Sequence, residues 1–453
     1  MEFATDDAIV AIATPAGRSG IGVVRLSGSD VTRIAGCVLK LSTPLTPRYA
    51  TLTRTRRALD ETVCVYFEAP HSYTGQDVIE ISAHGNPVVL HALVRDAIDA
   101  GARLAAPGEF TLRAFLNGKR DLIQAEAVAD LIAAATPLQA RVAFDQLDGT
   151  LTTRIAEIDA PLFDLIARLE ASLDFPDEGY HFVEPTTVAA TVAQAIAGID
   201  RLLEGAARGR VIREGATVVI AGRPNVGKSS IFNSLVGSDR AIVTPLPGTT
   251  RDLIRETVEI EGLAISVVDT AGWRVTTDII EREGVLRGER ARQVAETVLV
   301  VLDRSQPLTS EDRHLLDDTA DISRVVVLNK CDLPDCAPNV ETDLASARIQ
   351  VARISAATGE GVDELRRAIA STLAGGETLR DTPAISNVRH IALLEDARGE
   401  MRHAEDAAKQ GDTPEEFLLT HLHAARHKLD EIVGHRTSED VLRHIFEKFC
   451  IGK

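Results

Sequence analysis

The run GRPNVGKS at 222–229 has the spacing G-x-x-x-x-G-K-S, whose chemistry is phosphate binding. Gly222 and Gly227 let the backbone wrap phosphate oxygens closely. The amides from Asn225, Val226 and Gly227 through Lys228, Ser229 and Ser230, with a helix N-terminus, supply positive potential. Lys228 reaches the β and γ phosphates, and Ser229 offers a hydroxyl to Mg²⁺. Further motifs follow in order. PGTTRD carries Thr249 and Thr250. DTAG supplies Asp269, Thr270, Ala271 and Gly272, with Asp269 placed for the metal shell and the Gly272 amide for the γ-phosphate. NKCD supplies Asn329, Lys330 and Asp332. The two carboxylate oxygens of Asp332 can accept from the ring N–H and exocyclic amine of guanine. Adenine cannot donate both, so a buried Asp332 would discriminate strongly. Ser355, Ala356 and Ala357 follow the last strand, at the base edge. The ordered set predicts GTP binding.

The hydrolytic step is less conventional. Ras-like proteins carry a Gln after DTAG to orient the attacking water. Here Trp273 stands there and has no suitable acceptor. Asp278, Glu281 and Glu283 are the acidic alternatives in the following segment, and spacing alone does not choose among them. Arg251, Arg274 and Arg282 are arginine-finger candidates, with surface ion pairs as the plainer reading of each.

These motifs sit on strands alternating with helices. TVVIAG, AISVVDTAG, TVLVVLD, RVVVLNK and IQVARIS are continuous apolar runs suited to a parallel sheet covered on both faces. The alternation begins at Thr217 and ends near Leu373. Before it, apolar residues from Leu138 to Phe175 recur at helical spacing, FPDEG breaks the pattern, and Thr186 is placed to cap a helix running through Leu203. After it, GGETLRDTPAIS is a linker and 387–450 is helical again. The first strand and last helix of a doubly wound fold lie close together, so one helical domain interrupted by an inserted α/β domain is the preferred organisation. Residues 1–118 read as mixed α/β, with strands at Ile9–Thr14, Gly22–Ser27, Thr62–Phe67 and Val78–Ser82, a helix from Pro87 to Ala100, and loops at 14–20 and 106–110.

The 453 residues predict two to four domains, and 45% hydrophobic with 4% aromatic content predicts an aliphatic core. No apolar run has the length of a membrane span, and the N-terminus reads as neither a secretory signal nor a transit peptide. Five scattered cysteines do not form a disulfide framework, which points to a reducing cytoplasm. The net charge of −18 disfavours non-specific nucleic-acid binding. Residues 1–120 nevertheless hold 13 Lys and Arg against 12 Asp and Glu, so this near-neutral third, or a partner, is the better face for RNA.

At this point the chain resembles the MnmE/TrmE family of bacterial tRNA modification GTPases over essentially its whole length. The resemblance is carried by ATPAGRSGIGVVRLSG, SYTGQDVIE, HGNP, PGEFTLRAFLNGKRDLIQAEAVADLI, LDFPDEG, the nucleotide motifs and the terminal CIGK. It implies a multidomain α+β and α/β protein, with a Ras-like P-loop GTPase domain at 214–375 inserted into an all-helical domain at 119–213 and 376–453. The α/β domain at 1–118 would dimerise and bind 5-formyltetrahydrofolate or a related one-carbon folate. By motif position Arg25, Glu80, Lys119 and Lys453 would contact the folate. The resemblance also implies potassium dependence, with K⁺ held by Asn225, Thr244, Leu246 and Thr249, and Mg²⁺ by Ser229 and Thr250. Pro245, Pro247 and Gly248 would share the nucleotide loop with these. Among the three acids it selects Glu281 to orient water, and it places Cys450 near the folate with a role in modification.

The function so implied is GTP hydrolysis driving association and dissociation of G domains. With an FAD-dependent MnmG/GidA-type partner, the homodimer would add an aminomethyl or carboxymethylaminomethyl group to the wobble uridine, U34, of certain tRNAs. FAD belongs to the partner, since no G-x-G-x-x-G opens a dinucleotide site here. The alternative is a ribosome-assembly or RNA-chaperone GTPase acting as a nucleotide-gated binding module. His421, His423 and His427 share a helix without a convincing ligand set for a metal, and Cys331 and Cys336 read as loop residues.

Overall fold

The computed structural model describes residues 5–174, 184–237, 255–269, 295–336, 344, 349–375, 385–410 and 414–452. Contacts divide the chain into two units. The first comprises 1–129, 146–153 and 426–453, and the second 130–145 and 154–425.

The first unit begins with β1 (Ile9–Ile12), β2 (Ser19–Ser27), α1 (Val31–Val38), β3 (Ala50–Arg54), β4 (Glu61–Phe67), β5 (Val78–Gly85), α2 (Pro87–Asp99) and β6 (Arg103–Leu104). The strands form one sheet in the order β3-β4-β5-β2-β1-β6, antiparallel except where β6 joins β1. Helix α2 starts as expected: Asn86 accepts from the Val88 amide at 2.9 Å and Pro87 occupies the first turn, where no amide partner is missed. Val31, Ile34 and Val38 of α1 and Leu90, Leu93 and Ala97 of α2 bury one sheet face with Val10, Val24, Leu26, Ile79 and Ile81.

The opposite face is covered in part by α3 (Glu109–Leu116), whose Phe110 packs on Ile9 and Ala11. The sequence reading of 106–110 as loop ends two residues late, because Glu109 is already helical; likewise Ser19 and Gly20 belong to β2. Strands β3 and β6 and helix α1 lie beyond the elements expected from sequence; the strands are short, but α1 carries a clear helical signal, with Val31, Ile34, Ala35 and Val38 spaced on one buried face.

The helical part follows as α4 (Leu122–Ala133), α5 (Pro137–Leu147), α6 (Thr150–Asp174), α7 (Pro185–Leu203) and α8 (Ala206–Glu214). The long stretch from Leu138 is therefore two helices, interrupted at Asp148–Gly149. Thr186 does not cap α7. Pro185 opens it and Glu184 is the boundary residue, without a side-chain cap.

The inserted α/β part contains β7 (Ala216–Ala221), α9 (Lys228–Val236), β8 (Arg255–Ile260), β9 (Leu263–Asp269), β10 (Thr297–Asp303), α10 (Ser310–Asp318), β11 (Arg324–Asn329), β12 (Gln350–Arg353) and α11 (Val362–Leu373). Its sheet order is β12-β11-β10-β7-β9-β8. The five apolar runs are parallel as expected, and β8 adds an antiparallel edge. Ile231, Phe232 and Leu235 of α9 with Leu365 and Ile369 of α11 cover one face, together with Val142 of α5. Leu315 and Leu316 of α10 lie on the other.

The chain then returns to helices, α12 (Val388–Gln410), α13 (Glu415–Val433) and α14 (Glu439–Phe446). Helix α12 packs along α7, and Arg398 donates to Asp200 at 2.9 Å. The helical segments on either side of the insertion thus join, as an interrupted domain requires. Among the described residues no helix is long and apolar enough to cross a membrane.

Candidate functional site

The parallel strands β7, β9, β10 and β11 end in the loop at 222, in Asp269, in Asp303 and in Asn329. Ligand sites of open α/β sheets lie at these carboxyl ends. The loop 222–227 leads from β7 into α9, as a phosphate loop must. A Cβ on Gly222 would lie 2.7 Å from the Val301 carbonyl oxygen, and one on Gly227 would lie 2.2 Å from Asn329 Nδ2. Both positions also have positive φ, so each needs glycine for room and for conformation. Asn225 is itself left-handed, with φ 65°, and is exposed on the loop together with Ser229 and Ser230. Val226 is buried.

Lys228 is 9% exposed, and its Nζ donates to the Gly222 and Arg223 carbonyl oxygens, each at 2.8 Å. The ammonium is thereby held over its own loop, where phosphate oxygens would replace carbonyl oxygens as acceptors.

Asn329 joins the phosphate loop to the base loop. Its amide donates to the Val226 carbonyl at 2.7 Å and its oxygen accepts from the Ala356 amide at 3.1 Å. The Cys331 amide donates to the Ile354 carbonyl at 3.1 Å, and buried Ser355 accepts from the Thr358 amide at 3.2 Å. Lys330, Asp332, Ser355, Ala356 and Ala357 thus lie just beyond the carboxyl ends of the neighbouring strands β11 and β12. Asp332 is exposed, so burial by a base must come from the ligand.

Asp303 was missed by sequence reading. It is 5% exposed, takes Lys330 Nζ at 2.6 Å, and accepts from the Ser305 hydroxyl at 2.6 Å. Burial works to raise its pKa. The bonds from Lys330 and Ser305 outweigh burial and hold the carboxyl below its ordinary 3.8. The available signal was an acid ending a parallel-type strand, as in DTAG.

Thr244, Pro245, Leu246, Pro247, Gly248, Thr249, Thr250, Thr270, Ala271, Gly272, Trp273 and Glu281 lie outside the described residues, as do the other acid and arginine candidates for hydrolysis and Lys453. The backbone of Asp269 ends β9. The residues described therefore form the loop and base sides of a nucleotide site.

In the first unit, Arg25 and Glu80 face each other across β2 and β5, with Arg25 Nε donating to Glu80 at 2.9 Å. The guanidinium lies 5.1 Å from the Tyr73 ring centre and 5.7 Å from that of Phe110. Arg120 stands over the same Tyr73 ring at 5.5 Å. Tyr73, Phe110 and Arg120 are additions that no spacing in the sequence announced. Lys119 is exposed beside Gly75, and Asn117 ties its loop to the Thr74 carbonyl at 2.8 Å. This patch has three cations, Arg25, Lys119 and Arg120, a carboxylate with one oxygen engaged, and the half-buried Tyr73 ring, a donor set suited to a flat polar heterocycle with an anionic end.

The tail passes close to the same sheet. Gly108 donates to the Cys450 carbonyl at 3.4 Å, and Ile451 bridges to Pro107. The Cys450 thiol is exposed. His421 pairs with Glu400 at 2.6 Å and His423 with Glu170 at 3.1 Å, so each histidine meets a separate carboxylate. Cys331 is half-buried and Cys336 exposed.

Residues 8–119 match the family model of the GTP-binding protein TrmE N-terminus, and 122–450 match that of the MnmE helical domain. The tRNA modification GTPase MnmE of Chloroflexus aurantiacus is 44% identical over 459 residues, covering 99% of this chain and all of that one. Those of Aquifex aeolicus and Koribacter versatilis are 42% and 43% identical, over 98% and 99% of this chain and 99% of each relative. A nucleotide site inserted in a helical domain, behind a TrmE-type N-terminal domain, together with this end-to-end identity, places the chain in the MnmE family of tRNA modification GTPases.

Proposed function

We propose that this chain is a potassium-dependent GTP hydrolase whose conformational cycle serves modification of the wobble uridine of certain tRNAs, with an FAD-dependent partner of the MnmG/GidA type. The observation that carries the nucleotide half is the Asn329 bridge between Val226 and Ala356, which sets phosphate loop and base loop in one frame. The reading divides the chain into 1–118, 119–213, 214–375 and 376–453. Lys228 holds the β and γ phosphates and Asp332 reads guanine. Ser229 and Thr250 take Mg²⁺, which neutralises phosphate charge. K⁺, held by Asn225 with Thr244, Leu246 and Thr249, fits a loop that leaves Asn225 exposed in a left-handed turn. The ion supplies positive charge where charge develops between the phosphates. Glu281 orients water, a task Trp273 cannot perform.

Arg25, Glu80, Lys119 and Lys453 are the proposed folate contacts. The free oxygen of Glu80 suits donors of a pterin edge, and the cations suit the glutamate carboxylates. The same sheet supports a homodimer. Ile21 is 66% exposed, Leu52 76% and Val63 38%, and Leu52 and Val63 are opposed across β3 and β4. An apolar sheet surface of this kind is suited to a second copy. Cys450 is assigned a part in modification beside the folate.

Nucleoside analysis of tRNA from cells lacking the protein tests the whole reading. Loss of the carboxymethylaminomethyl or aminomethyl uridine is the expected result. Intact modification with defective ribosomes would instead favour the assembly-factor alternative.

A further inference from the structure

We propose that Arg223 and Asp312 form a clasp that positions the phosphate loop without touching the nucleotide. The inference deepens the guanine-nucleotide reading and rests on it. Arg223 follows Gly222, and its carbonyl accepts from Lys228 Nζ beside that of Gly222. Its side chain turns away from that loop. Nε lies 3.3 Å from Asp312 Oδ2 as an ion pair without hydrogen-bond alignment, and the guanidinium donates to Gln306 Oε1 at 3.0 Å. Arg223 is 17% exposed at the side chain and Asp312 only 2%.

Asp312 is anchored in its own right. It closes the capping box of α10, accepting from the Thr309 amide at 3.0 Å and hydroxyl at 2.9 Å, while its amide returns to Thr309. Such a reciprocal cap fixes the helix start. The carboxylate is therefore a stationary point to which Arg223 ties the second residue of the loop. Removing Arg223 leaves the buried Asp312 carboxylate without its cation, which is costly.

The same connection continues to the base side. Asp303, at the head of this segment, holds Lys330, and Arg304 pairs with Asp335 at 2.8 Å while its carbonyl accepts from the Cys336 amide at 3.1 Å. The stretch from Asp303 to Asp312 is thus a bracket behind the site. One end fixes the base loop and the other the phosphate loop. Arg223 and Asp312 are positioning residues in this arrangement, acting through the backbone that carries Lys228.

The test uses the full chain and a fluorescent GDP analogue in Mg²⁺ buffer, with thermal melting as the check on folding. Binding by the unaltered chain tests the nucleotide reading by itself. Arg223→Met and Asp312→Asn are each expected to weaken GDP roughly five- to fifty-fold, and the double variant no more than the worse single one. Asp312→Asn keeps an acceptor for Thr309, so its helix cap survives while the charge facing Arg223 is lost. Arg223→Lys, which keeps charge but loses the donor to Gln306, should fall between wild type and Arg223→Met. Turnover at saturating GTP should change by less than about threefold, because the loop is populated less but reacts alike once filled. Normal affinity in Asp312→Asn with weak affinity in Arg223→Met would mean Arg223 meets the nucleotide directly, and would overturn the proposal. So would losses that multiply in the double variant, or normal affinity in both single variants.

Discussion

Replacing Asn329 with alanine probes the joint on which the nucleotide site depends. Asn329 is 2% exposed, and its two bonds, 2.7 Å to the Val226 carbonyl and 3.1 Å from the Ala356 amide, connect loops more than a hundred residues apart in sequence. Each lost bond removes about 0.5–1.5 kcal/mol, and stranding the buried Val226 carbonyl and the half-buried Ala356 amide adds roughly 1 kcal/mol more. The total is about 2–4 kcal/mol. If the loops are out of register only in the unliganded protein, binding must restore the register. The same energy then appears as a loss of roughly 30- to 1,000-fold in GDP and GTP affinity. Because the side chain bridges loops, guanine and inosine nucleotides should lose affinity by the same factor. The assay is equilibrium titration with fluorescent GDP, competed by unlabelled nucleotides. Affinity within about threefold of wild type, in a protein with unchanged melting, would refute the reasoning.

Asp332→Asn exchanges an acceptor for a donor at the base edge. It should weaken GTP by on the order of 100-fold and improve xanthosine triphosphate, measured by competition. GTP turnover should be on the order of tenfold or more faster in KCl than in NaCl at equal ionic strength, and equal rates would remove Asn225 from its assigned role. Glu281→Ala should slow single-turnover hydrolysis on the order of 100-fold with GTP affinity nearly unchanged; a large affinity loss with normal turnover would make the carboxylate structural. Acid unfolding reports on the first unit, where Arg103 and Arg113 each donate to both Asp7 and Glu109. Arg103 heads the influences on Asp7; burial opposes the arginine bonds at both acids and is outweighed, so both pKa values fall below their ordinary 3.8 and 4.5. Groups with depressed folded pKa stabilise above the unfolded value and lose that contribution as pH falls through the folded one. Melting should therefore be flat from neutrality to about pH 5 and drop below it, and Glu109→Gln should shallow that drop.

The order and identity of the nucleotide motifs are local facts, and they were readable because each places a required residue type directly after an apolar run. Gly227 is needed where a backbone must approach closely, Lys228 where phosphate charge must be met, and Asp332 where a purine edge must be read. Apolar continuity likewise announced the inner strands β7, β9, β10 and β11, because a strand covered on both faces has few polar positions; β12, at the sheet edge, keeps Gln350 and Arg353 exposed. The folate, potassium and water-orienting assignments came from resemblance, since charges such as Arg25 and Glu80 carry no periodic signal of their own. What tertiary structure alone decided are the pairings between residues distant in the chain. Asn329 meets Val226, Arg223 meets Asp312, and Arg25 shares Tyr73 with Arg120. Short strands such as β3 and β6 belong to the same class, because neighbours stabilise them more than their own composition does. Sequence determines which chemistry each loop can offer; only packing, which brings strand ends together and buries Asp303 and Asp312, decides which loops act on the same ligand.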